Sequence, residues 1–379
     1  MATTDAVNPQ VASTPEEAAY LASQWKLVWW RFRRHRLAMI SLILVVGFYV
    51  IAAFPGFLSI HDPLDSSSSR VFMPPQRIHL FDGWVPRPFV YGVEGKRNQV
   101  TLAMEHVQDR EAKHYIKFFV SGHEYKLLGL FKTDIHLMGA DSEEGMHALR
   151  PLGTDKLGRD VYSRLMYGTR ISMSIGLVGV AISLFLGILM GGLSGFKGGW
   201  TDSIIQRLIE FLRAMPTIPV WLALGAAVPQ DWSVVKVYFA ISVIISLIGW
   251  TTLAREVRGR FLAMREEDFV MAAQLYGSGQ LRVIFRHMLP SFMSHIIATT
   301  TLAIPAIIIA ETALSFLGLG LRQPAISWGV LLFEAQNLQA VANAPWLLTP
   351  GLFVIFAVLT LNFMGDGLRD AADPYSVQR

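Results

Sequence analysis

Phe269-Val-Met-Ala-Ala-Gln-Leu-Tyr-Gly277, running on to Arg286-His-Met-Leu-Pro290, is a polar segment set between two long apolar stretches. Its pattern predicts a helix, a turn at Gly277, a second helix and a proline stop. Gly277 suits the end of the first helix, because a residue without a Cβ enters the left-handed conformation without strain. A short basic helix-turn-helix between apolar spans satisfies its own backbone and keeps its side chains free for a partner's groove. Phe269, Ala272, Ala273 and Tyr276 recur at helical spacing and make one apolar face. Such a face either enters a cleft on another protein or packs under the chain's own bundle.

The composition around this segment belongs to a membrane protein. Hydrophobic residues make up 52% of the 379 positions and charged residues 16%, and the mean hydropathy is +0.40. That is too apolar for an ordinary soluble protein of this size. The absence of cysteine excludes structural disulfides and cysteine metal sites. The net charge of +4 comes from bases lying beside apolar stretches, which suits lipid headgroups and topology rather than nucleic acid.

An apolar layer of ~30 Å takes about twenty residues of helix. Stretches 37–59, 171–196, 204–228, 237–254, 291–316 and 346–365 meet this and predict six spans in an all-α integral membrane protein. In the second, Gly176, Gly187, Gly191, Gly192 and Gly195 offer small faces for close helix approach. The third opens amphipathically with Arg207, Glu210 and Arg213 and carries Pro216 and Pro219, the mark of a broken helix facing protein or water. Gln323 to Phe333 is too brief to cross and reads as interfacial. Basic residues cluster before the first span (Lys26, Arg31, Arg33, Arg34, Arg36) and in the 255–290 loop (Arg255, Arg258, Arg260, Arg265, Arg282, Arg286). Both clusters belong in the cytoplasm, so six spans place both termini inside.

Residues 1–36 form a cytoplasmic tail and an interfacial amphipathic helix, with Thr14-Pro15-Glu16-Glu17 at capping-box spacing and Trp25, Trp29 and Trp30 at headgroup level. The first apolar stretch is too long for a signal peptide's core and lacks a small-residue cleavage pattern, which predicts a retained anchor. Residues 60–150 form an insert outside the membrane. Its short aromatic and β-branched runs at 77–81, 88–91, 115–120 and 125–131, punctuated by glycine, predict a small β-rich domain with a hairpin at Gly122. Seven of the ten histidines fall here: His61, His79, His106, His114, His123, His136 and His147. They keep no metal-ligand spacing, so no metal site is expected. No phosphate-binding loop occurs, since Gly92-Val-Glu-Gly-Lys-Arg97 lacks both the glycine spacing and the hydroxyl residue after lysine. No Gly-x-Ser-x-Gly elbow occurs either, and the chain is not expected to hydrolyse ATP itself.

The opening segment resembles the EAA loop of ABC-transporter permeases. Ala272, Ala273, Gly277, Leu289 and Pro290 fit that pattern, while Met271 stands where the family has its leading glutamate. Two further stretches narrow the resemblance to the oligopeptide/dipeptide permease family. They are Leu152-Gly-Thr-Asp-Lys-Leu-Gly-Arg-Asp-Val-Tyr-Ser-Arg-Leu-Met-Tyr-Gly-Thr-Arg170 and Glu311-Thr-Ala-Leu-Ser-Phe-Leu-Gly-Leu-Gly-Leu321. The match covers the first span and everything from Leu152 to Pro374; the stretch between holds no placeable motif.

The resemblance implies a type I importer permease core over 151–368, with residues 369–379 as a cytoplasmic C-terminus. It implies coupling to a separate ATPase through Phe269, Ala272, Ala273, Tyr276, Gly277 and Ser278. The implied partners are a second homologous permease, one or two ABC ATPases holding ATP and magnesium, a periplasmic binding protein and the bilayer of a bacterial inner membrane. No cofactor is expected on this chain. The implied cargo is peptide, with oligosaccharides, opines or nickel as alternatives within the family; an ATP-independent secondary transporter is a further alternative. Ser172, Ser174, Pro216, Pro219 and Asn362 are candidates for the path. Asp155, Arg159, Asp160 and Arg164 read as outer-surface residues, with Asp160 and Arg164 an i,i+4 pair or all four a contact for the binding protein. Glu311 is costly in lipid and reads as an interhelical hydrogen bond at the permease dimer seam.

Overall fold

The computed structural model describes residues 24–97, 99, 104–140, 149–337, 342 and 344–372. The expected helix start at Thr14–Glu17, His147 and the chain after Ala372 lie outside them. The described chain is mostly helical. Four of its helices, α2 (Arg36–Ala53), α3 (Val161–Lys197), α6 (Val234–Met264) and α8 (Met293–Phe316), are long and apolar enough to cross a membrane, as is Pro345–Ala372, which contains α10 (Thr349–Ala372). The pair α4 (Gly199–Ala214) and α5 (Thr217–Ala226) is bent by 85° and makes a sixth if it is one span. Before α2 comes α1 (Gln24–Arg34), whose buried Val28 and Phe32 pack against Ala38 and Ala371 while Trp25 and Trp29 stay exposed.

Each boundary has a local cause. His35 opens α2 by accepting the Ala38 N–H on Nδ1 at 3.1 Å. Asp160 opens α3 by accepting the Ser163 N–H at 2.8 Å, a side-chain cap at an otherwise orphaned helix N-terminus. That cap starts α3 ten residues before the apolar run at Ile171, so its 37 residues exceed the expected 171–196. The third expected span, 204–228, breaks where Pro216 precedes α5, because proline disfavours helical geometry in the residue before it. Pro290 does not end its segment. It sits in the first turn of Leu289–Ser291, where a missing N–H costs nothing, and the chain continues through Phe292 into α8.

Glycines set the tightest contact in the bundle, α3 against α6. A Cβ on Gly187 would lie 2.9 Å from the Leu253 side chain, on Gly191 2.4 Å from the Ala254 carbonyl oxygen, and on Gly195 2.7 Å from that of Arg258. These are three of the five glycines expected to give small faces; Gly176 meets Ile308 and Gly192 meets Ile284 and Phe261. Replacing Gly191 with leucine forces two backbones apart, and the overpacking costs about 1–3 kcal/mol. The thermal midpoint of the purified protein reads this out, and a midpoint equal to wild type would mean the helices separate freely. At the far end of α3, Arg258 holds Asp202 of α4 through Nε and Nη2 at 2.5 and 2.6 Å.

The main core gathers Leu165, Met173, Ile241, Ile308, Trp328 and Leu361 from five helices, one of them α9 (Trp328–Ala335). Within Gln323–Phe333, residues 325–331 are thus folded into the protein's own core. Ser327 caps α9 by accepting the Val330 N–H, and fully buried Trp328 meets Phe48 and Phe353 edge-on. Burying the aromatic removes more apolar area from water than any single aliphatic side chain does.

Between α2 and α3 lies a three-stranded antiparallel sheet ordered β1 (Phe89–Arg97), β2 (Met104–Leu127) and β3 (Phe131–Ala140). The β2–β3 hairpin turns at Gly129, φ +77°, not at Gly122. Gly122 lies inside β2, where the register shifts between Ser121 and Tyr125, so its glycine marks a bulge. The 77–81 run is no strand beyond a single bridge from His79 to Phe89. Ile60, Val90, Ile116 and Leu149 form a small core joining the sheet to the chain ends that enter it.

Candidate functional site

Helix α7 (Asp268–Leu275) projects from the end of α6 as a two-faced prong. Val270 and Ala273 are buried against Phe261, Val283, Ile284 and Met288, while Leu275 is 88% and Tyr276 91% exposed, with Phe269 and Met271 beside them. The helix closes where Gly277 takes φ +77° and the N–H groups of Gly277 and Ser278 donate to the carbonyls of Gln274 and Ala273, the left-handed helix ending expected of glycine. One of the residues assigned to the outward face is misplaced. Ala273 roots the prong in its own bundle, because it lies three residues after Val270 and shares its inward side. Leu275, unassigned from sequence, joins Phe269, Ala272 and Tyr276 outside; its position four residues after Met271 carried that signal. Solvent-facing apolar side chains concentrated at one tip mark an interaction surface.

A second cluster lies where α3 begins. Asp155 accepts the N–H groups of Leu157 and Arg159 on Oδ1, and on Oδ2 the Arg159 Nε at 2.7 Å and Arg164 Nη1 at 2.5 Å. Glu334 of α9 accepts Arg159 Nη2 at 2.8 Å, Arg164 Nη1 at 2.6 Å and Nη2 at 2.9 Å, and the Gln323 amide. All four charged groups are buried. The expected Asp160–Arg164 pair does not form: the Asp160 carboxylate turns back to cap its own helix, and Arg164 points across to α9. Asp155, Arg159, Asp160 and Arg164 therefore present no outer surface to a docking protein in this conformation. Burial alone would raise the Glu334 carboxyl, but the hydrogen bonds and charge of Arg164 and Arg159 hold it below its ordinary value of 4.5. Asp160 moves the other way, raised by full burial against the pull of Arg150. Glu334 was not singled out in the sequence, although a lone acid in the apolar run 325–335 is a usable signal.

Glu311 sits deeper. Its Oε1 accepts the hydroxyls of Ser315 and Ser327, both at 2.8 Å, and Oε2 accepts Ser172 Oγ at 3.4 Å. Ser172 Oγ in turn accepts the Trp328 N–H at 3.0 Å. These bonds hold α9 onto α3 and α8, so Glu311 makes interhelical hydrogen bonds, and among the described residues it makes them within the chain. Ser174 accepts the Tyr238 hydroxyl at 3.1 Å. Pro216 and Pro219 lie exposed at the α4–α5 elbow, and Asn362 is half-buried on α10.

None of these five lines the cavity of about 330 Å³ among α3, α5, α6 and α8, whose walls include Ser183, Trp221, Thr252, Thr299 and Thr300. It is mainly apolar, with the threonines contributed by α6 and α8. The Ser183 hydroxyl and Trp221 Nε1 in those walls make no hydrogen bond among the described residues. No group of three or more histidine, aspartate or glutamate side chains among the described residues could hold a metal ion.

Long apolar helices around a cavity, with an exposed prong on the polar loop, define a multi-pass membrane permease subunit. The chain belongs to the binding-protein-dependent transport system inner membrane component family, whose model matches residues 183–375. Residues 23–75 match the N-terminal TM domain of oligopeptide transport permease C. The chain is 30% identical to the oligopeptide transport system permease protein OppC of Bacillus subtilis (strain 168), over 93% of this chain and 90% of that one. It is 29% identical to the dipeptide transport system permease protein DppC of Alkalihalophilus pseudofirmus, over 97% and 96%. With the DppC of Bacillus subtilis (strain 168) the identity is 38% over 59% of this chain and 68% of that one. The solved MetNI methionine ABC transporter, in an inward-facing form, aligns with 55% of this chain and 96% of its own at 15% identity and a TM-score of 0.44.

Proposed function

We propose that this chain is one permease subunit of an ATP-driven peptide importer in a bacterial inner membrane, and that α7 receives the stroke of a separate ATPase. The α4–α5 pair counts as one bent span, giving six spans with both termini cytoplasmic and the sheet insert periplasmic. A second homologous permease supplies the other half of the path, one or two ATPases hold ATP and magnesium, and a periplasmic binding protein delivers cargo. The cavity walled by Ser183, Trp221 and Thr299 belongs to this half of the path. Names of full-length relatives favour peptides over the oligosaccharides, opines or nickel carried elsewhere in such systems.

The observation that carries this reading is the prong itself. Leu275 and Tyr276 stand free while Val270 and Ala273 anchor them to α6 and to the segment leading into α8. A push on the tip moves two spans as a lever rather than deforming a loop. Because the chain has no cysteine, single substitutions Tyr276→Cys and Ser278→Cys give clean probes. Crosslinking of either to the ATPase, with ATP-dependent uptake of a labelled tripeptide by the reconstituted complex, is the expected result. Labelling of Tyr276→Cys by a membrane-impermeant thiol reagent from outside intact cells would overturn the reading.

A further inference from the structure

A second cavity lies at the seam between the insert, the end of α2 and the first turns of α3. It measures about 340 Å³ and is lined by Asp62, His123, Glu124, Lys126, Tyr167 and Arg170 together with residues 53–56 and 127–129. Asp62, Glu124, Lys126 and Arg170 carry both signs of charge, yet none is in an ion pair with another described residue. Charged groups brought to one concavity without an opposite charge in contact are available for a ligand. His123 joins them in the lining. Both of its ring nitrogens are buried without a hydrogen-bond partner, and burial first, then neighbouring His136, lower its pKa to about 4, so the ring is neutral near pH 7.

The walls are built rather than loose. The His136 ring sits between the Gly56 carbonyl oxygen, 2.8 Å from Nδ1, and the His123 carbonyl oxygen, 3.0 Å from Nε2, and as a neutral imidazole it donates to one of them while packing the end of the first span against β2. Gly56 itself lies so close to Tyr125 that a Cβ would come 2.2 Å from the ring. The seam brings charges of both signs to one cavity, which a zwitterion of matching length can meet through charge-assisted hydrogen bonds at both ends.

We infer that this seam cavity binds a short zwitterionic peptide, its carboxylate on Arg170 and Lys126 and its ammonium on Asp62 and Glu124, as a receiving subsite ahead of the path. The inference rests on the proposed peptide cargo and periplasmic insert, and adds to them a recognition site on the permease itself. A cavity of this size falls at the low end of the ~300–1,000 Å³ usual for small-molecule sites. The same chemistry is offered by a phosphoethanolamine headgroup, so the test separates the two.

The complete transporter is placed in nanodiscs of phosphatidylglycerol, without binding protein, and titrated calorimetrically with trialanine, N-acetyl-trialanine amide and phosphoethanolamine. Trialanine is expected to bind and its end-capped form not. Asp62→Asn and Arg170→Gln, both at exposed positions outside any ion pair, are each expected to weaken trialanine binding by about tenfold or more. The Asp62→Asn variant retains the side-chain oxygen that accepts the Leu64 N–H, so it keeps its loop. Equal binding of the capped peptide, indifference to both substitutions, or binding of phosphoethanolamine without trialanine would overturn the subsite. Uptake by the same wild-type complex with its binding protein separates the layers. Trialanine uptake with a silent cavity overturns the subsite alone, whereas failure to take up any peptide overturns the peptide-importer reading.

Discussion

Arg164→Met lowers the stability of the folded chain by about 3–5 kcal/mol, the usual effect of removing one partner from a buried ion pair. The guanidinium reaches Asp155 and both oxygens of Glu334 at 2.5 to 2.9 Å, and without it two buried carboxylates share Arg159 alone. Arg164→Lys rescues little, since an ammonium cannot supply two parallel N–H groups to Glu334 while also reaching Asp155. Removing charge on both sides, Arg164→Met with Glu334→Leu, should recover part of the loss, because the remaining Asp155–Arg159 pair balances itself at 2.7 Å. Thermal unfolding of purified protein measures all three. A midpoint for Arg164→Met within error of wild type would show that water reaches the cluster and that burial is not what makes it strong.

The same cluster gives a pH dependence with a fixed sign. Glu334 has a folded-state pKa below its ordinary 4.5, so its contribution is complete above about pH 4.5 and is lost as pH falls through the lower folded value. Wild type therefore loses stability on acidification below that point more steeply than Glu334→Gln, whose side chain does not titrate. Parallel acid profiles for the two would remove Glu334 from the account.

Sequence reading reached the membrane class, the positions of the apolar helices and the small faces of α3, because each depends on local spacing or on bulk hydropathy. It also placed the turn at Gly277, which only a positive φ requires. The charged motif Asp155–Arg164 looked like a surface feature because its partner is Glu334, some 170 positions later. No local rule joins residues so far apart; the contact exists only once α9 folds into the bundle. The partners of Glu311 and Ser172 were hidden for the same reason, since Ser327 and Trp328 complete their bonds from a segment that looked interfacial. The cavity walls were missed because Ser183, Trp221, Thr252 and Thr299 come from four helices whose rotation about their axes is set by packing. Helical periodicity fixed which residues of α7 share a face, but not which side the bundle would cover. Val270 decided that, and it brought Ala273 inward with it.

Leu275→Ala with Tyr276→Ala leaves the fold unchanged and weakens association with the ATPase by about 30-fold or more. Both side chains are almost wholly exposed, so truncation removes no internal contact, and surface substitutions of this kind stay within about 0.5 kcal/mol of wild-type stability. Aromatic anchors that fill a partner's pocket, by contrast, are worth about 2 kcal/mol or more at an interface, which is the factor of about 30. On the proposed reading transport falls with association, because this tip is where the stroke is received. Val270→Asp makes the complementary case: a carboxylate placed among Phe261, Val283 and Met288 detaches the prong from its root and lowers stability as well as transport. Size-exclusion co-elution with the ATPase, thermal midpoint and ATP-driven uptake separate the two variants. The double alanine variant should lose co-elution and uptake at a normal midpoint, and Val270→Asp should lose all three. If the double variant keeps its ATPase and its uptake, the apolar tip is ornamental and the lever has to be sought elsewhere on the 255–290 loop.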